Sequence, residues 1–301
     1  MSTAPTARTH VTQAGTPAWL WVPAILALLG ALLWSYWAVI SDLIREWQRN
    51  QNYNVGQLVP FAALYLLWHE RRALRRLKPT AGWWGLALIL LAQGARAYGL
   101  IQLFESAERY ALVLTIVGLV LLVAGWPIFW RVRWILVFLF LMVPFPGRLH
   151  NAISGPLQDY ATMGAVFILE LLGNAVSREG HVMVLNGVTP VAVAEACSGL
   201  RMLTAFIVVG SVLAYVVRRP RWQKVVLVVS TVPVAILCNL IRLVITAELY
   251  AAVSSDLASK FFHDFAGLTM MPMAVFVLVG ELWLMNKLVL PEELPVVETQ
   301  A

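Results

Sequence analysis

Apolar runs close to 20 residues long recur along this chain, and short polar or basic segments separate them. A helix needs about 20 apolar residues to cross the hydrocarbon core of a bilayer, so such runs are typical of transmembrane helices. In total 60% of the residues are hydrophobic and 13% are charged, whereas about a quarter of the residues in soluble domains are charged. The sequence therefore predicts an all-α integral membrane protein.

The basic residues indicate which loops face the cytoplasm. Residues 69–78 carry five lysines and arginines, and residues 218–224 carry four. Cytoplasmic loops of membrane proteins hold such clusters, so the net charge of +6 is a topology signal, and we predict no binding of nucleic acid. This rule predicts about eight transmembrane helices, with both termini in the cytoplasm. The predicted spans are residues 19–40, 55–68, 83–103, 110–129, 134–145, 200–217, 225–247 and 268–285.

The other segments are assigned around these spans. One membrane domain is predicted over residues 19–286, between a disordered cytoplasmic N-terminus at 1–18 and a cytoplasmic tail at 287–301. Residues 41–54 are predicted to form a polar loop after the first span. Residues 156–176 are apolar, but a single crossing there would contradict the two basic clusters, so we predict a re-entrant or interfacial helix on the outer face. Asn186-Gly187 between β-branched residues predicts a short extracytoplasmic hairpin within residues 180–194.

Cys197 lies where a polar, turn-rich segment changes into an apolar helix, within Glu195-Ala-Cys-Ser-Gly-Leu-Arg201. We predict Ser198 as the N-cap of that helix, which places the thiol near the positive end of the helix dipole. Such a position lowers the pKa of a cysteine and favours the nucleophilic thiolate. The alternative is a small buried hydrophobic side chain. The other cysteine, Cys238, lies deeper in its helix, where packing is the expected role, and no disulfide framework is implied.

Two more side chains could serve a thiolate. Arg242 lies inside an apolar helix, where a charge is costly and is by default a sign of a functional site, although snorkelling to the interface is the alternative. His263 lies in a loop, where the alternative is a solvated histidine. The predicted topology places Cys197, Arg242 and His263 on the same outer face, each near a helix end.

Together these three side chains are the parts needed for acyl transfer. A thiolate attacks a carbonyl, an imidazole moves protons near neutral pH, and a guanidinium stabilises an oxyanion or pairs with a carboxylate. Asn239 precedes Arg242 by three residues on the same helix face, where it could orient Arg242, bind a substrate amide or form a structural interhelix hydrogen bond. Glu195 and Arg201 flank the nucleophile, and either substrate contact or a structural ion pair would explain them.

Three blocks of the sequence resemble the signature blocks of the exosortase/archaeosortase family. They are Glu195-Ala-Cys-Ser-Gly-Leu-Arg201, Asn239-Leu-Ile-Arg242, and His263 followed by Gly267. The upstream segments Tyr53-Asn-Val-Gly-Gln-Leu-Val59 and Met142-Val-Pro-Phe-Pro146 are also similar, although Tyr53-Asn-Val departs from the Tyr-Ser-His of many members. The resemblance extends roughly from Val55 to Met285.

This resemblance implies a multi-pass cysteine protease of the cytoplasmic membrane, acting as a transpeptidase at the extracytoplasmic face. It implies Cys197 as nucleophile, with Arg242 and His263 as the other catalytic residues. The implied substrates are exported proteins with a C-terminal signal made of a short motif such as Pro-Glu-Pro, a transmembrane helix and a basic tail. The implied acceptor is a polysaccharide, another surface group, or water.

Two other functions fit parts of the sequence. One is a transporter or channel that uses Arg242 as an anion site, although no interrupted helix pair or internal repeat marks a midplane site. The other is a membrane enzyme acting on lipid or exopolysaccharide. In each case the lipid bilayer is the surrounding partner. The sequence has no zinc-type spacing of Cys and His and no glycine-rich phosphate loop, so we predict no metal and no organic cofactor.

Overall fold

The computed structural model describes residues 21–187, 189–192, 199–252 and 266–288. The chain divides into two compact units, residues 1–42 and 43–301. The described residues form ten α-helices, one three-stranded antiparallel sheet and two short 3₁₀ turns at 54–57 and 139–142. The helices are α1 (Trp21–Ser35), α2 (Trp37–Arg49), α3 (Leu58–Leu74), α4 (Trp84–Gln102), α5 (Glu105–Val123), α6 (Gly125–Phe138), α7 (Gly147–Leu171), α8 (Leu200–Val216), α9 (Arg221–Ala252) and α10 (Ala266–Leu288). The strands are β1 (Val176–Glu179), β2 (Val182–Leu185) and β3 (Thr189–Ala192).

Several helices are long and apolar enough to cross a membrane, as the sequence predicts. Four segments meet this measure within the described residues: α4, α5, Gly125–Met142 and Arg221–Ala251. A fifth is added if the bent pair of α1 and α2 forms one span. The 17 residues of α8 are apolar but fall just short of that length. The protein is therefore an integral membrane protein built mainly from helices, while the number of eight spans stays a prediction.

The predicted polar loop at residues 41–54 is wrong over most of its length. The first apolar run ends at Ser35, and a second helix, α2, continues from Trp37 to Arg49. Within α2 the apolar residues Ile40, Leu43, Ile44 and Trp47 recur at helical spacing, so one face is apolar although the segment is polar on average. The prediction of a loop relied on the average polarity of the segment, which does not reveal an amphipathic helix.

The predicted boundaries between residues 110 and 134 are also wrong. The first turn of α5 already contains Glu105, where a carboxylate is favourable beside the helix N-terminus. The break between α5 and α6 falls at Ala124, and Arg131 and Arg133 lie within α6 rather than in a loop. The charged residues Glu105, Arg131 and Arg133 therefore lie inside helices and do not mark the helix ends.

The basic segments gather at one end of the helices. Arg131 of α6 pairs with Glu70 near the end of α3 at 2.7 Å, and the hydroxyl of Tyr215 near the end of α8 donates a hydrogen bond to the same carboxylate. Arg219, just beyond α8, donates to Asn286 of α10 at 2.8 Å. We call this the basic end. Because α3 and α8 both end there, residue 53 and the start of α8 lie at the opposite end, as the charge pattern predicts.

The helix α7 begins and ends on the side opposite the basic end. Its first turn contains His150, which lies 2.6 Å from the hydroxyl of Tyr53. After its last turn, Asn174 donates to Glu248 in the final part of α9 at 2.6 Å. That residues 156–176 form a re-entrant or interfacial helix stays a prediction. The buried contacts between the two helices involve Ala161, Ala165, Leu169, Leu243, Val244 and Ala247.

The predicted hairpin is confirmed and belongs to a larger sheet. Strands β2 and β3 pair antiparallel around the turn at Asn186-Gly187, with Leu185 opposite Thr189. Strand β1 adds to the free side of β2, with Ser177 opposite Val184. Its sequence, Val-Ser-Arg-Glu, lacks the alternation that identifies a half-buried strand, and three of its four residues are exposed.

Candidate active site

The helix α8 begins directly after the cysteine segment. Its first residue is Leu200, and its N-cap is Gly199 rather than the predicted Ser198. Gly199 adopts a φ of +92°, a left-handed conformation that side chains of L-residues disfavour. Cys197 therefore precedes the N-cap by two residues. Cys197, Ser198 and Glu195 lie outside the described residues, as does His263.

Gly199 packs directly against Asn239 of α9. A Cβ atom at position 199 would lie 3.0 Å from Nδ2 and 3.2 Å from Cγ of Asn239. Asn239 is 1% exposed, so its amide group is held within the protein at the level where α8 begins. The start of α8 thus packs against the helix that carries the predicted catalytic arginine.

Asn239 in turn orients Arg242. Its side-chain oxygen accepts a hydrogen bond from Nη2 of Arg242 at 2.8 Å. The main-chain carbonyl of Arg242 accepts from the hydroxyl of Thr246 at 2.7 Å. The contact fits the option that Asn239 orients Arg242, and its role in a site stays a prediction. The helix α9 continues to Ala252, so Arg242 does not lie close to its end as predicted, but it lies at the level of Gly199.

Arg201 is buried in the first turn of α8, with 8% of its surface exposed. Its Nη2 donates to the side-chain oxygen of Gln51, which lies 150 residues earlier in the chain. One turn later, the hydroxyl of Thr204 lies 3.2 Å from the main-chain carbonyl oxygen of Asn52. Residues 51 and 52 thus contact the first two turns of α8, and neither was predicted as part of the site.

A second contact that the sequence did not predict joins Tyr53 to His150. The hydroxyl oxygen of Tyr53 and Nδ1 of His150 are 2.6 Å apart, and both residues are more than nine-tenths buried. Tyr53 belongs to the segment that resembles a family block, and His150 follows the block that ends at Pro146 by one helical turn. The only hint in the sequence that His150 belongs to the site was its position beside an apolar block. Its contact with Tyr53 became visible only in the fold.

Cys238 has the environment expected of a packing residue. It is 9% exposed and belongs to a core cluster shared by α8, α9 and α10. Within the described parts of the chain, no group of three or more His, Cys, Asp or Glu side chains could hold a metal ion. The residues that meet around the start of α8 carry mainly amide and guanidinium groups: Gln51, Arg201, Asn239 and Arg242.

These features define a class of protein, a multi-helix membrane protein in which the start of α8 packs against an arginine-bearing helix. Residues 47–280 match the family described as transmembrane exosortase, and the chain belongs to this family. Membership indicates a membrane transpeptidase in broad terms. The range includes Cys197, Arg242 and His263. Neither the curated proteins nor the solved structures contain a significant match to the chain.

Proposed function

We propose that this protein is a cysteine protease and transpeptidase that cleaves C-terminal sorting signals of exported proteins. One observation carries the proposal: Gly199, two residues after Cys197, contacts Asn239, which holds the guanidinium of Arg242 at 2.8 Å. A nucleophile needs a positioned group that stabilises the oxyanion formed by its attack. The contact supports an arrangement in which Arg242 lies near Cys197, although the two residues are 45 positions apart in the sequence.

The proposed reaction has two steps. The thiolate of Cys197 attacks the scissile carbonyl, and its electron pair forms a thioester as the C–N bond breaks. Arg242 stabilises the oxyanion, and His263 protonates the departing amine. An amine, a hydroxyl group or water then attacks the thioester, loses its proton to His263, and releases Cys197. Glu195 and Arg201 support the segment or contact the substrate.

The proposed substrate presents its scissile bond beside the membrane. A C-terminal transmembrane helix in the substrate would lie next to the enzyme in the bilayer, so the preceding motif would reach the level of Arg242. The charge pattern predicts that the end opposite the basic end faces outward, so the proposed reaction occurs at the extracytoplasmic face of the cytoplasmic membrane. The acceptor is a surface group such as a polysaccharide, or water.

The proposal is tested in the source cell with and without this chain. Mass spectrometry of exported proteins should find intact C-terminal peptides, ending in a transmembrane helix and basic tail, only when the chain is absent. The same proteins should run at larger size on immunoblots. If no exported protein changes its C-terminus, the proposal is wrong. A change confined to lipid or exopolysaccharide would instead support the alternative enzyme class.

The orientation of the protein is predicted from its basic end. Reporter fusions after Arg76 and Arg221 should report the cytoplasm, because positive clusters are retained there. Fusions at Gly180 and Ser255 should report the outer side. Paired reporters, one active only in the cytoplasm and one only outside it, provide the measurement. A cytoplasmic position for Gly180 or Ser255 would contradict an extracytoplasmic site.

A methyl group at position 199 is expected to disturb the site. Gly199→Ala places Cβ 3.0 Å from Nδ2 of Asn239 and should shift the amide that orients Arg242. It also places alanine at a φ of +92°, which costs roughly 1–2 kcal/mol. We expect processing to fall by about tenfold, which corresponds to about 1.4 kcal/mol in the barrier. Pulse-chase labelling of a precursor provides the rate.

Gly173→Ala is the matched control for this substitution. Gly173 has a φ of +94°, and its added Cβ would meet no heavy atom within 4 Å. The control therefore reproduces the backbone strain without a contact to Asn239, and it should lower thermal stability while leaving the processing rate nearly normal. Equal losses of processing in both variants would mean that strain, and not the contact with Asn239, causes the effect.

A further inference from the structure

Residues 50–53, which follow α2, hold together the elements around the start of α8. We call residues 50–53 the anchor loop. Within it, the side-chain oxygen of Asn50 accepts the main-chain N–H of Asn52 at 3.0 Å, and the side-chain nitrogen of Asn50 donates to Glu46 at 3.0 Å. These local hydrogen bonds determine the conformation of the anchor loop. The side chain of Gln51, the main-chain oxygen of Asn52 and the hydroxyl of Tyr53 contact other parts of the protein.

One side of the anchor loop contacts α8. Gln51 accepts from Arg201, and the main-chain oxygen of Asn52 is paired with Thr204. Both contacts lie in the first two turns of α8, directly after Gly199. Arg201, which the proposed function leaves in a supporting role, is thus bound by a segment far away in the sequence. Any movement of the anchor loop would be transmitted to the first turn of α8.

The other side of the anchor loop is fixed by Tyr53. Its hydroxyl is 2.6 Å from Nδ1 of His150, and its ring meets that of Phe145 edge to face with centroids 6.3 Å apart. Tyr53 is 8% exposed and His150 is 8% exposed, so this hydrogen bond is shielded from water. Because a tyrosine hydroxyl both donates and accepts, the bond forms with either neutral tautomer of His150.

From these contacts we propose that Tyr53 and His150 are positioning residues for the nucleophile segment. Their hydrogen bond joins the anchor loop to α7, and the anchor loop holds Arg201 and Thr204 at the start of α8. The start of α8 at Gly199 is thereby held against Asn239, whose side chain binds Arg242. This inference rests on the proposed function, in which Cys197 must face a positioned guanidinium.

The test uses the full-length protein in membranes on a Cys238→Ala background, where Cys197 is the sole cysteine. Tyr53→Phe removes one hydroxyl, and His150→Ala removes its partner. His150→Asn keeps a hydrogen-bonding group near the position of Nδ1 but cannot titrate. Thr115→Val is the matched control, because it removes a buried hydroxyl that lies 3.3 Å from Gln93 between α4 and α5. Two rates are measured for each variant in separate samples: labelling of Cys197 by N-ethylmaleimide, and precursor processing in unlabelled membranes per amount of inserted enzyme on immunoblots.

A purely structural role would lower the amount of inserted enzyme, and normalising processing to that amount removes this effect. We expect both rates to fall by about three- to tenfold in Tyr53→Phe and His150→Ala, the scale of one net hydrogen bond. The double variant should be no slower than the slower single variant, because both changes remove the same contact. His150→Asn should keep both rates within about twofold of the background, and Thr115→Val should do the same.

Three results would overturn the proposal. Unchanged rates in Tyr53→Phe and His150→Ala would mean that the pair does not position Cys197. Multiplying losses in the double variant would mean that the two residues act separately. A loss in His150→Asn equal to that in His150→Ala would mean that the imidazole itself is required. A failure of the proposed function is distinguishable from these results, because the labelling rate of Cys197 is measured without any substrate.

Discussion

Replacing Cys197 with alanine is expected to abolish precursor processing while the protein still inserts in the membrane. Without a thiolate no acyl-enzyme forms, and loss of the nucleophile in an acyl-transfer enzyme costs on the order of 10⁶ in kcat. The remaining contacts at the start of α8, from Gly199 to Asn239 and from Arg201 to Gln51, do not involve the thiol. Insertion is measured from the protein level in membranes, and processing from the size of a precursor on immunoblots.

Cys238→Ala is the control that separates the two cysteines. Cys238 is buried in a core cluster with Met202, Phe206 and Ala235, where its thiol fills space between helices. Its truncation removes a single sulfur atom from that packing, so a small loss of stability and nearly normal processing are expected. If Cys238→Ala stops processing and Cys197→Ala does not, Cys238 is the nucleophile and the proposed site is wrong.

Arg242→Lys is expected to lower the processing rate at least about 10²-fold, the scale of removing one oxyanion donor. Lysine keeps the charge but loses the planar fork of the guanidinium, which can bind Asn239 and an oxyanion at the same time. The alternative is that Arg242 only anchors α9 by snorkelling, which lysine does nearly as well. Processing of a precursor is measured in cells with matched amounts of each variant. Near-normal processing would remove Arg242 from the catalytic set.

Arg109→Lys is the matched control for that substitution. Arg109 is 7% exposed in α5 and pairs with Glu105 at 2.8 Å, so it is also a buried helical arginine with a described partner. Lysine should retain that ion pair, and processing should stay close to normal. His263→Ala should behave like the Arg242 variants, since proton transfer contributes about 10²–10⁴-fold. Equal losses in Arg109→Lys and Arg242→Lys would indicate a general effect on the membrane domain.

Hydrophobic patterning predicted most of the helices. Apolar runs and basic clusters predicted α4 and α8 closely, and the pairing of Arg131 with Glu70 confirms that the basic segments lie together. The same reasoning missed α2, because its polar average conceals an apolar face that repeats at helical spacing. It also missed β1, whose four residues are held by pairing with β2 rather than by their own pattern.

The candidate site was only partly predictable for a different reason. Asn239 and Arg242 are three residues apart on one helix, so local geometry predicts their contact. Tyr53 and His150 are 97 residues apart, and Gln51 and Arg201 are 150 apart. No local periodicity relates such positions, and neither Gln51 nor His150 was predicted to belong to the site.

The sequence by itself determined the membrane environment and the grouping of the basic segments, and it predicted Arg242 as a candidate functional residue. Burial of apolar runs and the cost of a charge in lipid depend on composition and short-range spacing. Both can be read from a short stretch of sequence without knowing the fold. Only the tertiary structure decided what meets at the start of α8. There Gly199 leaves room for Asn239, and the anchor loop bridges α7 and α8 through Tyr53 and Gln51. These contacts depend on how separate helices pack in three dimensions, and that packing is set by the whole chain.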